Sequence, residues 1–358
     1  MSDLSARAIA VADLDPGSPD AGVPAHFGDP MREQRILATE VGLVDRSHRG
    51  VLAVAGEDRL TWLHSLTTQH LSDLAPGEGT ETLVLSPHGH VEYHAVVADD
   101  GVTTWLDVEP GTAASLLEFL TRMRFLMRVE PVDVTADWAL LSLVGPHTDE
   151  ALARLGVSAP GEPVVQPVPP AKFASASVAA RPSTVYPVVS LPGGGWVRRM
   201  SYGADLLVPR DSVGKLVEAL AVPPVGIWAF EALRVEHRRP RLGFETDHRT
   251  LPAEVGWLVD AVHLDKGCYR GQETVARVHN LGRPPRKLVL LHLDGVTTDE
   301  PPAPGTPVSL AEGRRVGFVG TAVRHHELGM IALAVVKQNT SADAALRVGA
   351  SSAAIDPA

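Results

Sequence analysis

Glycine and proline interrupt this chain too often for long elements: 32 glycines and 29 prolines fall within 358 residues, about 17% against a usual ~12%. Helical bundles and coiled coils are therefore disfavoured, and many short strands and helices joined by turns are expected. At ~150 residues per domain the length calls for two or three domains. Hydrophobic residues at 44% and charged residues at 21% are ordinary for a globular protein. No window holds the ~18 uninterrupted apolar residues of a membrane span. The N-terminus MSDLSARAIAVADLDPGS is acidic where an export signal needs a basic flank, so a cytoplasmic protein with no membrane partner is expected.

Residues 1–30 carry Asp3, Asp13, Asp15, Asp20 and Asp29 without an apolar period, which reads as a mobile or loosely docked arm. Residues 31–150 read as a first α+β domain. Helices are expected at 32–41, after Gly56-Glu57-Asp58 and at 110–125, and strands at 50–55, 82–85, 91–97, 103–108, 127–135 and 139–144. Strands and helices do not alternate strictly, so largely antiparallel α+β layers are favoured over a doubly wound fold. Residues 151–285 read as a proline-rich connector at 156–187 and then a second α+β part. Its strands fall at 196–200 and 205–208; a helix capped by Asp211 and a second helix at 226–237 follow. From residue 286 to 358 the pattern is strands only, with Glu312-Gly313 as a hairpin turn. A small β-barrel is expected there, its tail from Ser341 fraying.

The densest chemistry lies in KGCYRGQE at 266–273. Cys268, the one cysteine of the chain, sits between Lys266 and Arg270 and between Gly267 and Gly271. Flanking cations favour the thiolate, and a helix beginning at Gln272 would add its dipole to the same end. The glycines would let a ligand or partner approach closely. The competing reading is a small buried hydrophobe. One cysteine excludes an intramolecular disulfide and a self-contained zinc or iron-sulfur cage. From Lys266 to Lys287 the charge is +5 within a chain of −11, a basic island suited to an anionic small ligand. HRRPR at 237–241 is a second basic cluster. A globally acidic chain is poorly suited to polyanions, which argues against direct nucleic-acid binding.

In PHGHVEYH at 87–94, strand alternation would put His88, His90, Glu92 and His94 on one face, a conceivable metal set, although the wet face of a half-buried strand is the plainer reading. No metal is expected. Walker loop, GxSxG elbow and HExxH helix are all absent.

KGCYRGQE strongly resembles the YgfZ family of folate-binding proteins, relatives of the aminomethyltransferase of the glycine cleavage system and of mitochondrial iron-sulfur assembly factors. The stretches VGLVDRSHRGVLAVAGEDRLTWLHSLTTQHL at 41–71, ADLLVP at 204–209, FEALRVEHRRPRLGFE at 230–245 and LPAEVGWLVDAV at 251–262 extend the resemblance. It implies an α+β, three-domain, aminomethyltransferase-like fold around a central folate cavity, with a C-terminal β-barrel. It implies tetrahydrofolate or a one-carbon derivative as cofactor, held by Asp205, Arg234, Tyr269 and Gln272. It also implies a reactive Cys268 assisted by Lys266 and Arg270. The transferases carry an acidic pair in a GGxxDD stretch; the matching GHVEYH places Tyr93 and His94 there, which disfavours aminomethyl transfer for want of a carboxylate acid/base. The implied role is folate-linked support of iron-sulfur cluster assembly or repair, and through it of tRNA-modifying and other cluster enzymes. Iron-sulfur assembly proteins or cluster enzymes are the implied partners. The alternative is a folate-dependent one-carbon transferase or demethylase.

Overall fold

A computed structural model describes residues 8–166, 181–295 and 300–357. Its body is one 12-stranded sheet that runs 224–225, 42–45, 138–144, 203–209, 196–200, 184–190, 78–85, 91–99, 103–108, 50–55, 130–133, with the short strand 164–165 added onto 184–190. Neighbours are antiparallel except 224–225 on 42–45. The sheet narrows at its middle, where 184–190 meets 78–85 only at Tyr186↔Gly79 and Pro187↔Glu78.

Each half of the sheet buries one face under helices. In one half Leu52, Val54, Val84, Ala95, Val97 and Leu106 pack under the helices Arg59–Leu66 and Ala113–Arg122. In the other, Leu43, Leu141, Leu143, Leu206 and Val208 pack under Thr148–Ala153 and Val213–Leu220. Side chains alternate along a strand. The residues between these apolar positions, Glu81, His94, Val96 and Asp107 in one half and Ser142, Arg198 and Asp205 in the other, therefore share the opposite faces. The helix Ile227–Glu236 and the segment that follows it pack there.

The C-terminal strands close into a six-stranded barrel in the order 286–293, 329–337, 315–325, 307–310, 346–348, 351–355. The tail expected to fray supplies the last two strands, because Leu346, Val348 and Ala353 complete the barrel core around Leu291, Val319 and Ala334. The hairpin turn at Glu312-Gly313, expected between 287–293 and 316–323, joins 315–325 to an additional strand, 307–310, that was not expected.

Three other expectations change. Residues 8–30 are not a loose arm: Ile9–Ala10 pairs with Pro24–His26, and Val11, Val23 and Ala25 are buried against Leu37, Val44, Val225 and Phe230. Asp211 makes no helix cap; it lies in a 3-10 turn and the helix starts at Val213. Part of the connector is structured, since 184–190 is a strand of the main sheet, while its residues 167–180 lie outside the described residues.

Candidate functional site

The two polar sheet faces, the helix Ile227–Glu236 and the N-terminal segment enclose a cavity of about 650 Å³, its open mouth included. Its wall carries five carboxylates (Asp20, Glu81, Glu109, Asp205, Glu231) and five guanidiniums (Arg46, Arg49, Arg234, Arg239, Arg241), with His48 and His94. Met200, Tyr202, Ile227 and Phe230 provide an apolar surface. Positions 227, 230, 231 and 234 fall on one helix face by the i, i+3, i+4, i+7 rule, which turns that face into the cavity.

The charged residues form a continuous chain. Arg198, 0% exposed, joins the two halves of the sheet, its Nη2 donating to Asp107 at 2.7 Å and Asp205 at 2.8 Å. Asp205 also accepts from Ser142 Oγ at 2.6 Å and Arg46 at 3.1 Å. Arg49 donates to Asp107 and Glu109, both at 2.9 Å. Arg241 continues to Glu109 and Asp20, each at 2.9 Å, and to Glu231 at 3.2 Å. Burial works to raise the pKa of Glu109, but the guanidiniums of Arg241 and Arg49 reverse it and hold the carboxyl well below its usual range. Asp20 behaves likewise: burial pushes up, and His48 and Arg241 pull it below.

At one end of the cavity, Glu81 Oε2 lies 2.8 Å from His94 Nε2, and Glu81 Oε1 accepts from Tyr186 at 2.6 Å and pairs with Arg239. The imidazole is stacked on Trp257, ring centroids 4.8 Å apart and planes 17° from parallel. Burial would raise Glu81; the charge of Arg239 and the His94 bond keep it anionic.

Of the residues expected from sequence, Asp205 and Arg234 line this cavity. Arg234, however, commits all five of its donors inside the protein, to Glu231, Glu245, the Arg239 carbonyl and Thr321 of the barrel. It braces the wall and ties the barrel to it. Cys268, Lys266, Arg270, Tyr269 and Gln272 do not line the cavity. Cys268 is exposed, just ahead of the helix Gln272–Leu281. Lys266 turns its ammonium onto the carbonyls of His64, Thr67 and Gln69, at the end of the helix Arg59–Leu66. Burial brings its pKa down to about 7. Arg270 pairs with Glu92 at 3.3 Å. Tyr269 lies beneath Lys266, its burial pushing the phenol up, and Gln272 Nε2 donates to the Lys266 carbonyl at 3.2 Å. Both expected activating cations thus have partners other than the sulfur. Gly271 allows a close approach, but of the chain itself: with φ +83°, a Cβ there would lie 2.8 Å from Gly89 Cα. The turn 86–90 is what the loop packs on.

The basic island is largely consumed internally, Arg286 by Asp247 and Glu254 and Lys287 by the Thr340 carbonyl. The second cluster, HRRPR, reaches the cavity instead through Arg239 and Arg241. The histidine face does not form: His88 and His90 lie in the turn and His94 is buried against Glu81, so it is not the wet side of a strand either. No group of three or more potential ligands for a metal is present among the described residues. No described helix is long and apolar enough to cross a membrane. Asp20, His48, Glu81, Glu109 and Glu231 were not singled out by sequence reasoning. Arg46, His48 and Arg49 all fall in the DRSHR run of the quoted 41–71 stretch, the signal that was there to be used.

Residues 23–164 match the GCVT N-terminal domain. A chloroplastic protein of Arabidopsis thaliana, provisionally named a transferase, is 30% identical over 280 residues, which span 77% of this chain and 60% of that protein. The aminomethyltransferase of Symbiobacterium thermophilum is 29% identical over 84% of this chain and 79% of its own length, and that of Geobacillus kaustophilus is 29% identical over 89% and 85%. The crystal structure of glycine cleavage system aminomethyltransferase T from Bartonella henselae superposes with a TM-score of 0.77 over 95% of this chain and 91% of that one, at 18% identity.

Proposed function

We propose that this GCVT-domain protein of the aminomethyltransferase-like superfamily binds tetrahydrofolate, or a one-carbon derivative, in the ion-paired cavity. From there, in the cytoplasm, it supports iron-sulfur cluster assembly or repair. The carrying observation is the cavity itself, charge-balanced by five carboxylates and five guanidiniums with an aromatic and aliphatic side. A pterin is flat, carries donors and acceptors along one edge, and needs both kinds of surface. The residues fit it: Asp205 Oδ2 accepts one hydrogen bond, from Arg198, and keeps a lone pair for a ligand donor. His48 Nδ1 is buried without a partner on the same wall, a polar atom that a bound ligand would satisfy. Tyr202 and Phe230, ring centroids 5.7 Å apart, would border the pterin ring. Bound folate would supply a carrier for one-carbon units; the chain supplies orientation, a dry wall and fixed charges.

The exposed Cys268, outside the cavity, is the group assigned to the iron-sulfur role, as one ligand at a site shared with an assembly protein or a cluster enzyme. Cells carrying Cys268→Ser are expected to lose cluster-enzyme activity, tRNA-modifying enzymes included, while the purified variant still binds tetrahydrofolate. Full cluster-enzyme activity in that strain would reject the role. A second reading, a one-carbon transferase, is favoured by the names of the relatives and by a titratable imidazole inside the cavity. Turnover of methylene-tetrahydrofolate with an amine acceptor would establish it, and stoichiometric binding without turnover would exclude it.

A further inference from the structure

We propose that His94, fixed by Glu81, is the proton-exchanging group of this cavity, offering the lone pair of its Nδ1 to an N–H or O–H of the bound ligand. The inference rests on the folate reading above and assigns one side chain of the same site. It is carried by three observations and the tautomer they imply. His94 lies on the cavity wall. Its Nε2 is 2.8 Å from a carboxylate that Arg239 and Tyr186 hold in place, and an anionic carboxylate only accepts, so Nε2 carries the hydrogen. In the neutral ring the remaining nitrogen, Nδ1, is then an acceptor. Stacking on Trp257 at 4.8 Å fixes the ring plane, so the lone pair has one direction. A carboxylate that orients an imidazole on the wall of a ligand cavity is an arrangement that suits a general base.

The charged and titratable groups around the pair are Glu81, Tyr186, Arg239, Asp260 and Tyr202. Of these, Arg239 bridges Glu81 and Asp260, so His94 faces a carboxylate already partnered by a guanidinium. When the ligand gives up a proton, it passes to Nδ1. His94 becomes an imidazolium opposite the Glu81 carboxylate, and the ligand becomes one unit more negative. The same proton returns when the ligand takes it back, so nothing is oxidised or reduced. Glu81 is a positioning residue in this scheme. The ligand class is an uncharged heterocycle or its adduct with an exchangeable N–H or O–H.

The test is the dissociation constant of 5-formyltetrahydrofolate between pH 5.5 and 8, whose glutamate carboxylates titrate below that window. For the wild type, affinity is expected to fall on the acid side by up to about tenfold per pH unit, the limit for one linked proton. His94→Gln is expected to flatten that acid limb, and Glu81→Gln to weaken binding at pH 8 severalfold, because the acceptor that fixes the hydrogen on Nε2 is lost. His90→Gln, on the turn outside the cavity, is expected to keep the wild-type profile. Binding with an acid limb that survives in a folded His94→Gln, or with undiminished affinity at pH 8 in a folded Glu81→Gln, would overturn the assignment and leave folate binding standing. No binding by the wild type at any pH would overturn both.

Discussion

Replacing Asp205 with Asn keeps the shape of the side chain and removes the charge on which the two halves of the sheet converge. In the wild type the carboxylate accepts from Ser142 at 2.6 Å, Arg198 at 2.8 Å and Arg46 at 3.1 Å. Two of these bonds come from cations, and hydrogen bonds to charged groups contribute about 1.5–3 kcal/mol each. Arg198 would stay fully buried with Asp107 as its one remaining carboxylate partner. Breaking one partner out of a buried pair costs about 3–5 kcal/mol, in the same range. A loss of about 4 kcal/mol is therefore expected, a large part of a total of roughly 5–15 kcal/mol. Urea unfolding at pH 7, followed by tryptophan fluorescence, measures it. The cause is checked by adding Arg198→Met to Asp205→Asn, which removes the stranded cation and should recover at least half of the loss. A loss under about 1 kcal/mol, or no recovery in the double variant, would refute the view that these charges are desolvated and mutually dependent.

Acid titration follows from the carboxylates held below their ordinary range, Asp20, Glu81, Glu109 and Asp247. Their folded pKa values lie below the unfolded ones, so their contribution is present above about pH 4 and lost as the pH falls further; circular dichroism should show cooperative unfolding in that range. Lys266→Met should cost about 2 kcal/mol by leaving the carbonyls of His64, Thr67 and Gln69 without their donor, whereas Cys268→Ser, at an exposed position, should change stability by less than about 0.5 kcal/mol. Truncation after residue 340 should expose the barrel core by removing the strands 346–348 and 351–355, read as dye binding and a lowered melting temperature; an unchanged melting temperature would return the tail to the frayed state expected from its composition.

Much of the architecture was legible in the residues. The period of two in ADLLVP buries Ala204, Leu206 and Val208 together and leaves Asp205 as the polar residue on the other face, so its inward position follows from alternation alone. The strand-only pattern after residue 286 likewise gave the barrel. The cavity wall was not legible, because its partners are remote in sequence: Arg241 and Asp20 are 221 positions apart, and Arg49 and Glu109 are 60. A lone glutamate in a strand does not announce the arginine it will meet. The cysteine loop misled for the same reason. Lys266 and Arg270 flank the thiol in sequence, but Lys266 finds carbonyls about 200 residues earlier and Arg270 finds Glu92. The tail misled because Ala and Ser at 350–354 carry too little apolar area to signal a strand, while Leu346 and Val348 supply the burial that fixes it.

The most direct measurement is a calorimetric titration of tetrahydrofolate, under anaerobic conditions, into the wild type, Cys268→Ser and a folded Asp205→Asn. One site per chain with a dissociation constant near 1 μM, about −8 kcal/mol, is expected for the wild type and for Cys268→Ser, with Asp205→Asn at least tenfold weaker. Equal affinity in Asp205→Asn would contradict the assignment of the cavity, and loss of binding in Cys268→Ser alone would place the ligand at the cysteine loop instead.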